Sequence, residues 1–64
     1  MRLSEVTMYP RVYNVVETTD PRFTAGGEIK VCSANEESVL VAIGSGLAFF
    51  LTKNEASSIQ VESR

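Results

Sequence analysis

The sequence predicts a small β-rich domain of the α+β class: an antiparallel meander or partly open barrel of four to five strands with a short C-terminal helix. Three observations carry this. The most apolar stretch, VLVAIGSGLAFFL (Val39–Leu51), is interrupted near its middle by Gly44-Ser45-Gly46, and a short glycine turn between β-branched and aromatic runs is a hairpin signal. Upstream, Ile29 and Val31 alternate with Glu28, Lys30 and Cys32, the period-2 pattern of a strand with one wet face. Thr52-Lys53-Asn54-Glu55 then matches the capping box that opens a helix.

The competing readings of the apolar stretch fail on physical grounds. Val39–Leu51 is shorter than the roughly 20 residues needed to cross a bilayer. As a buried helix it would carry two interior glycines, each costing about 1 kcal/mol relative to alanine.

In chain order, residues 1–27 form an extended N-terminal segment. Within it MYPRVYNVVE (8–17) is rich in valine and tyrosine and reads as a strand, with Pro10 marking a sheet edge or a bulge. Thr19-Asp20-Pro21-Arg22 is a turn. Residues 23–27, FTAGG, form a loop in which Gly26 and Gly27 permit positive φ. Residues 28–51 are the meander. Its first strand carries Ile29 and Val31, Asn35-Glu36-Glu37 makes a turn, and strand 38–43 occupies the centre. A tight turn at 44–46 leads to strand 47–51. Val39, Val41 and Ile43 point to one side of the centre strand and Leu40 and Ala42 to the other. Both sides are apolar, so both faces of the sheet are expected to be covered. A helix over about 53–60 presents Ala56 and Ile59 to the sheet, one turn apart. The whole chain, 1–64, is one domain.

A chain of 64 residues buries only about 60% of the surface its unfolded form exposes, and small scaffolds compensate with disulfides, a metal or a partner. Cys32 is the only cysteine and there is no histidine, so an intramolecular disulfide and a structural zinc site are both ruled out. A partner remains, and a homodimer is the expected form. The N-terminus lacks the basic-then-apolar pattern of a signal peptide, which makes a reduced, cytoplasmic setting the expectation, with no membrane association.

The same inventory bounds the chemistry. Without histidine the usual general base near neutral pH is missing, and Ser-His and Cys-His nucleophile pairs are impossible. Cys32 reads as an idle thiol at a strand end, and Glu36 and Glu37 as solvated turn charges rather than metal ligands. AGGE and GSG lack the context of phosphate-binding loops. No enzyme activity, cofactor or metal is expected. Six basic against eight acidic residues give a net charge of −2, which argues against a general grip on phosphate backbones.

One constellation stands above this background. On a strand, Tyr9, Arg11 and Tyr13 share a face, opposite Pro10 and Val12. Arg22 and Phe23 follow after the turn, and Lys30 lies on the next strand. Tyrosine and arginine dominate protein–protein hot spots, so these six residues are the candidate partner-binding set. The structural alternative packs the tyrosine rings into the core with their hydroxyls wet. The function expected is a non-enzymatic protein-binding module, a small regulator or inhibitor of a larger partner. The alternative is a single-stranded nucleic-acid binder that stacks bases on Tyr9, Tyr13 and Phe23 beside Arg11 and Lys30. Several strands followed by a short helix resemble, at fold level, small SH3-like and ferredoxin-fragment modules, a likeness that implies no function.

Overall fold

The structure, a computed structural model, describes residues 1–44 and 46–64. A single 3₁₀ turn at Leu3–Glu5 precedes five strands and one helix: β1 (Arg11–Thr18), β2 (Glu28–Ala34), β3 (Ser38–Ile43), β4 (Leu47–Thr52), α1 (Lys53–Ser57) and β5 (Ile59–Ser63). The strands form one antiparallel sheet in the order β4-β3-β2-β1-β5. The predicted β-rich class with a short helix is the observed one.

The sheet is open but rolled. Four inter-strand steps would put the edges of a flat five-stranded sheet about 19 Å apart. The edges β4 and β5 are nevertheless joined by residues 53–58, whose five helical residues advance only about 8 Å. Two bulges supply the curvature, since a bulge bends its strand and sharpens the local twist. One falls on β1 between Val15 and Glu17, the other on β2 between Val31 and Ser33. Cys32 is therefore a half-buried bulge residue inside β2, not a strand end.

The inner face of the roll is the core. Tyr13, Val15, Ile29, Val31, Val39, Val41, Leu51, Ile59 and Val61 line it, and Leu3, Val6, Phe23 and Ala56 close it from above; all are buried. No buried polar side chain occurs among the described residues. The chain exposes 4006 Å², close to the about 4,000 Å² that the size scaling gives for a compact monomer of 7.0 kDa. One chain thus folds over its own core.

Several expectations change. The helix ends at Ser57, not near residue 60, and a fifth strand follows. The Ser57 and Ser58 hydroxyls donate to the carbonyls of Asn54 and Glu55 at 2.7 Å, satisfying acceptors the helix would otherwise have used to continue. Ile59, expected on the helix, is buried on β5 instead. The centre of the full sheet is β2, with β3 one strand from the edge. Pro10 marks neither a sheet edge nor a bulge: β1 lies inside the sheet, and the proline stands just before its first residue, outside the ladder. Only one face of the sheet is covered. Leu40 and Ala42 are half-exposed on the other face, and Phe50 is 65% exposed there. Among the described residues no element lies over them.

Local chemistry explains the turns. Asp20 accepts from Phe23 N–H (3.2 Å) in a tight turn with Pro21 in its second position, where the fixed proline φ fits. Thr24 accepts from Gly27 N–H (2.9 Å), with Gly26 at φ +90°, the conformation a type II turn demands of its third residue. The expected turn at 44–46 is flanked by Gly44 (φ +61°) and Gly46 (φ +94°); Ser45 lies outside the described residues. No helix among the described residues is long and apolar enough to cross a membrane.

Candidate binding surface

The six residues chosen from sequence do not form one surface. Tyr13 is only 2% exposed; its ring is core and its hydroxyl donates to the Met8 carbonyl at 3.0 Å. Phe23 is buried too, its ring centroid 5.8 Å from that of Phe49. Tyr9 precedes β1, is 43% exposed, and donates to the Ala34 carbonyl at 3.3 Å. Arg11 is half-buried, with Nη1 3.6 Å from Met8 sulfur. Lys30 points from the outer face, opposite Val12 on β1 and Ala42 on β3. The structure thus brings Arg11 and Tyr13 to one side of β1, places Arg22 with Phe23 on the loop, and leaves Lys30 on the opposite face.

Arg22 has a defined local role. Its guanidinium lies 5.1 Å from the Phe49 ring centroid and 5.9 Å from that of Phe23. Its Nη2 reaches Asp20 Oδ2 at 2.6 Å and Glu55 Oε2 at 2.8 Å. The hydrogen bond with Asp20 pushes the arginine pKa up and that of Asp20 down. The Glu55 carboxyl is held below its ordinary value first by the Thr52 backbone N–H, then by the Thr52 hydroxyl and Arg22. A third ion pair joins Arg64 to Glu28.

The surface that stands out is the outer side of the β3–β4 hairpin. The β3–β4 register sets Leu40 beside Phe50 and Ala42 beside Ala48, all outward. None carries charge, whereas the β1–β2 and β5 part of this face presents Glu17, Glu28, Lys30 and Glu62. Leu47, on the same edge strand, is 57% exposed. Sequence reading took this hairpin for covered core, because period-2 alternation shows that two faces are apolar and not whether a second layer exists. The signal available was length: even a two-turn helix over 53–60 is too short to cover two faces.

The two sheet edges are treated differently. On β5, Val61 donates to the Met1 carbonyl at 2.8 Å and accepts from Met1 N at 3.0 Å, and Arg2 bridges Gln60. That edge is occupied. On β4 no strand pairs with the outer side among the described residues. The ladder's phase follows from Lys53 N–H donating to the Glu37 carbonyl at 3.1 Å, because 37 stands opposite 53 when Ser38 stands opposite Thr52. Alternate residues of an antiparallel pair exchange hydrogen bonds. Leu47, Phe49 and Leu51 therefore bond to β3, while Ala48, Phe50 and Thr52 turn their backbone groups outward. Glu55 Oε1 accepts from Thr52 N–H at 2.9 Å, so the N–H and C=O of Ala48 and Phe50 are what the edge offers.

Natural sheets protect such edges with lysine, proline, a bulge or a cover; among the described residues β4 has none of these. Among the described residues no three His, Cys, Asp or Glu side chains gather into a metal-holding group. What this surface can do chemically is bury apolar area and accept a strand. No protein-family model, curated protein or solved structure matches the chain.

Proposed function

We propose that this chain is a non-enzymatic protein-binding module of the cytoplasm, a small regulator or inhibitor of a larger partner, that acts as a homodimer and binds through the outer face of its β3–β4 hairpin. The observation that carries the reading is Phe50, a large aromatic left 65% exposed beside the uncharged neighbours Leu40, Ala42 and Ala48. A ring of this size is the usual anchor of an interface.

The nucleic-acid alternative has less support. Two of its three stacking rings, Tyr13 and Phe23, are buried, and its two cations, Arg11 and Lys30, lie on opposite faces of the sheet.

Affinity capture from native lysate, with and without nuclease, tests the reading against Leu40→Glu, which charges the outer face one strand in from the edge. The expected result is one stoichiometric protein, retained by the unaltered chain through nuclease and high salt and lost by the equally folded variant. Capture that disappears with nuclease or falls steeply with salt favours nucleic acid. Capture indifferent to Leu40→Glu removes the outer face from consideration.

A further inference from the structure

We infer that β4 pairs with β4 of a second copy about a two-fold axis at Phe49, joining two sheets into one. The inference rests on the homodimer part of the reading above and names its interface; it shares Phe50 and Ala48 with the outer-face surface, and Leu40→Glu, which lies off the edge strand, separates the two.

The edge leaves four backbone groups open, the N–H and C=O of Ala48 and of Phe50. They are placed symmetrically about Phe49. An antiparallel partner strand in the register 49 opposite 49 sets Ala48 against the partner's Phe50, and Phe50 against the partner's Ala48. Each of these pairs exchanges two hydrogen bonds, so every open group on both chains is used. Of the two neighbouring registers that keep faces matched, 50 opposite 50 needs Thr52 N–H, which Glu55 already holds, and 48 opposite 48 pairs Phe50 with Gly46, which precedes β4 and has φ +94° rather than an extended backbone.

Side chains fit the same register. On the outer face the large Phe50 lies beside the small Ala48 of the partner, twice over, the pairing of bulk with space that packs a surface. On the inner side Leu47, 57% exposed, comes beside the partner's Leu51. Charge permits the approach. Two copies of a chain of net charge −2 repel, yet Leu47–Thr52 carries no charge. On the inner side the cluster of Arg22, Asp20 and Glu55 over Phe49 leaves one net negative charge per copy, a repulsion that salt screens. An unrelated extended peptide could use the same backbone groups, but the symmetry about Phe49 and the reciprocal Phe50–Ala48 fit select a second copy.

The contact involves one short strand from each chain and is smaller than the about 1,200 Å² of a standard interface, so dimerisation is concentration-dependent. Sedimentation equilibrium of the full chain from micromolar to millimolar concentration reads it directly. The expected result is a rise from 7.0 kDa towards twice that mass. Ala48→Pro removes one outward N–H without touching the β3 ladder and is expected to hold the mass at 7.0 kDa, with an unchanged circular dichroism spectrum. Should this variant fail to fold, Phe50→Lys decides, since a lysine at the edge sets like charges against each other. Val16→Lys, at an exposed position of β1 (52%), is the control that still dimerises. A constant 7.0 kDa for the unaltered chain overturns self-association altogether. A dimer that survives the edge substitutions overturns this interface and leaves self-association through another surface. A monomer that binds an added extended peptide, with the binding lost in Ala48→Pro, assigns the edge to a peptide instead.

Discussion

Arg22 Nη2 lies 2.8 Å from Glu55 Oε2, tying the β1–β2 loop to α1 across 33 positions of sequence. Exposed ion pairs contribute little by Coulomb attraction alone. This one matters through where it holds the guanidinium, over the rings of Phe23 and Phe49. Its second carboxylate, Asp20, fixes the loop's own turn by accepting from the Arg22 backbone N–H at 2.9 Å.

Acid should loosen this arrangement first. The Asp20 and Glu55 carboxyls both have pKa values lowered by the fold. A group of this kind contributes stability that is fully present above its unfolded pKa, about 4, and that is lost as pH falls through the folded value. Denaturant midpoints measured from pH 6 down to pH 2 should therefore be flat above about pH 5 and fall below about pH 4. In Asp20→Asn with Glu55→Gln the fall should be shallower, starting from a lower plateau. An unchanged acid limb would show that other carboxylates control it.

Thr52 caps α1: its hydroxyl accepts from Glu55 N–H at 3.1 Å while Glu55 returns the bond to Thr52 N–H. Thr52→Ala is expected to cost about 1 kcal/mol, which lowers Tm by about 4–8 °C in a domain this small. Thr52→Ser should keep most of the difference. Thermal melts of the three proteins check it.

Val41 and Val39 lie on the inner face at 0% and 1% exposure. Val41→Asp or Val39→Asp places an unpaired carboxylate there, at a cost of several kcal/mol, comparable with the whole stability of a small domain. Neither variant should give a cooperative melt. A folded Val41→Asp would mean that water reaches the inner face.

The tyrosines separate packing from binding. Tyr13→Phe removes the hydrogen bond to the Met8 carbonyl and should cost about 1 kcal/mol. Tyr13→Ala empties the core and should cost about 3–5 kcal/mol. Tyr9→Ala with Arg11→Ala removes no core side chain and should lower Tm much less than Tyr13→Ala. Denaturant titrations of all three rank them. A large loss in the double variant would place Tyr9 in the core.

What was legible in the sequence was local. A strand through Ile29 and Val31 and strands 38–43 and 47–51 announced themselves by alternation and turn residues, within a residue of the observed β3 and β4, and the α1 cap by a four-residue motif. The strand β5 was hidden because Ile59-Gln60-Val61-Glu62 offers only two apolar positions, directly after a helix signal. Its conformation is decided by pairing with β1, most of the chain away. On β1 the alternation itself was read correctly, since Arg11 and Tyr13 do share a side. Which side faces inward was not readable: Val12 and Val16 are as apolar as Val15, and the bulge after Val15 shifts the phase. The edge position of β4, on which the proposed surface depends, is a property of strand order and has no local signature.

Three of the four strand ladders join neighbours in sequence, while the fourth joins β1 to β5, with Thr18 opposite Ile59 and Tyr13 opposite Ser63. That difference orders the folding reaction in time. Closing the loop over residues 19–58 costs about 2 kcal/mol more chain entropy than closing a turn of a few residues, so the hairpins between β1 and β4 form before β5 docks. Substitutions at Val41 or Leu51 should therefore slow folding. Substitutions at Val61 should mainly speed unfolding, and β5 is the strand whose departure opens the core on the way out.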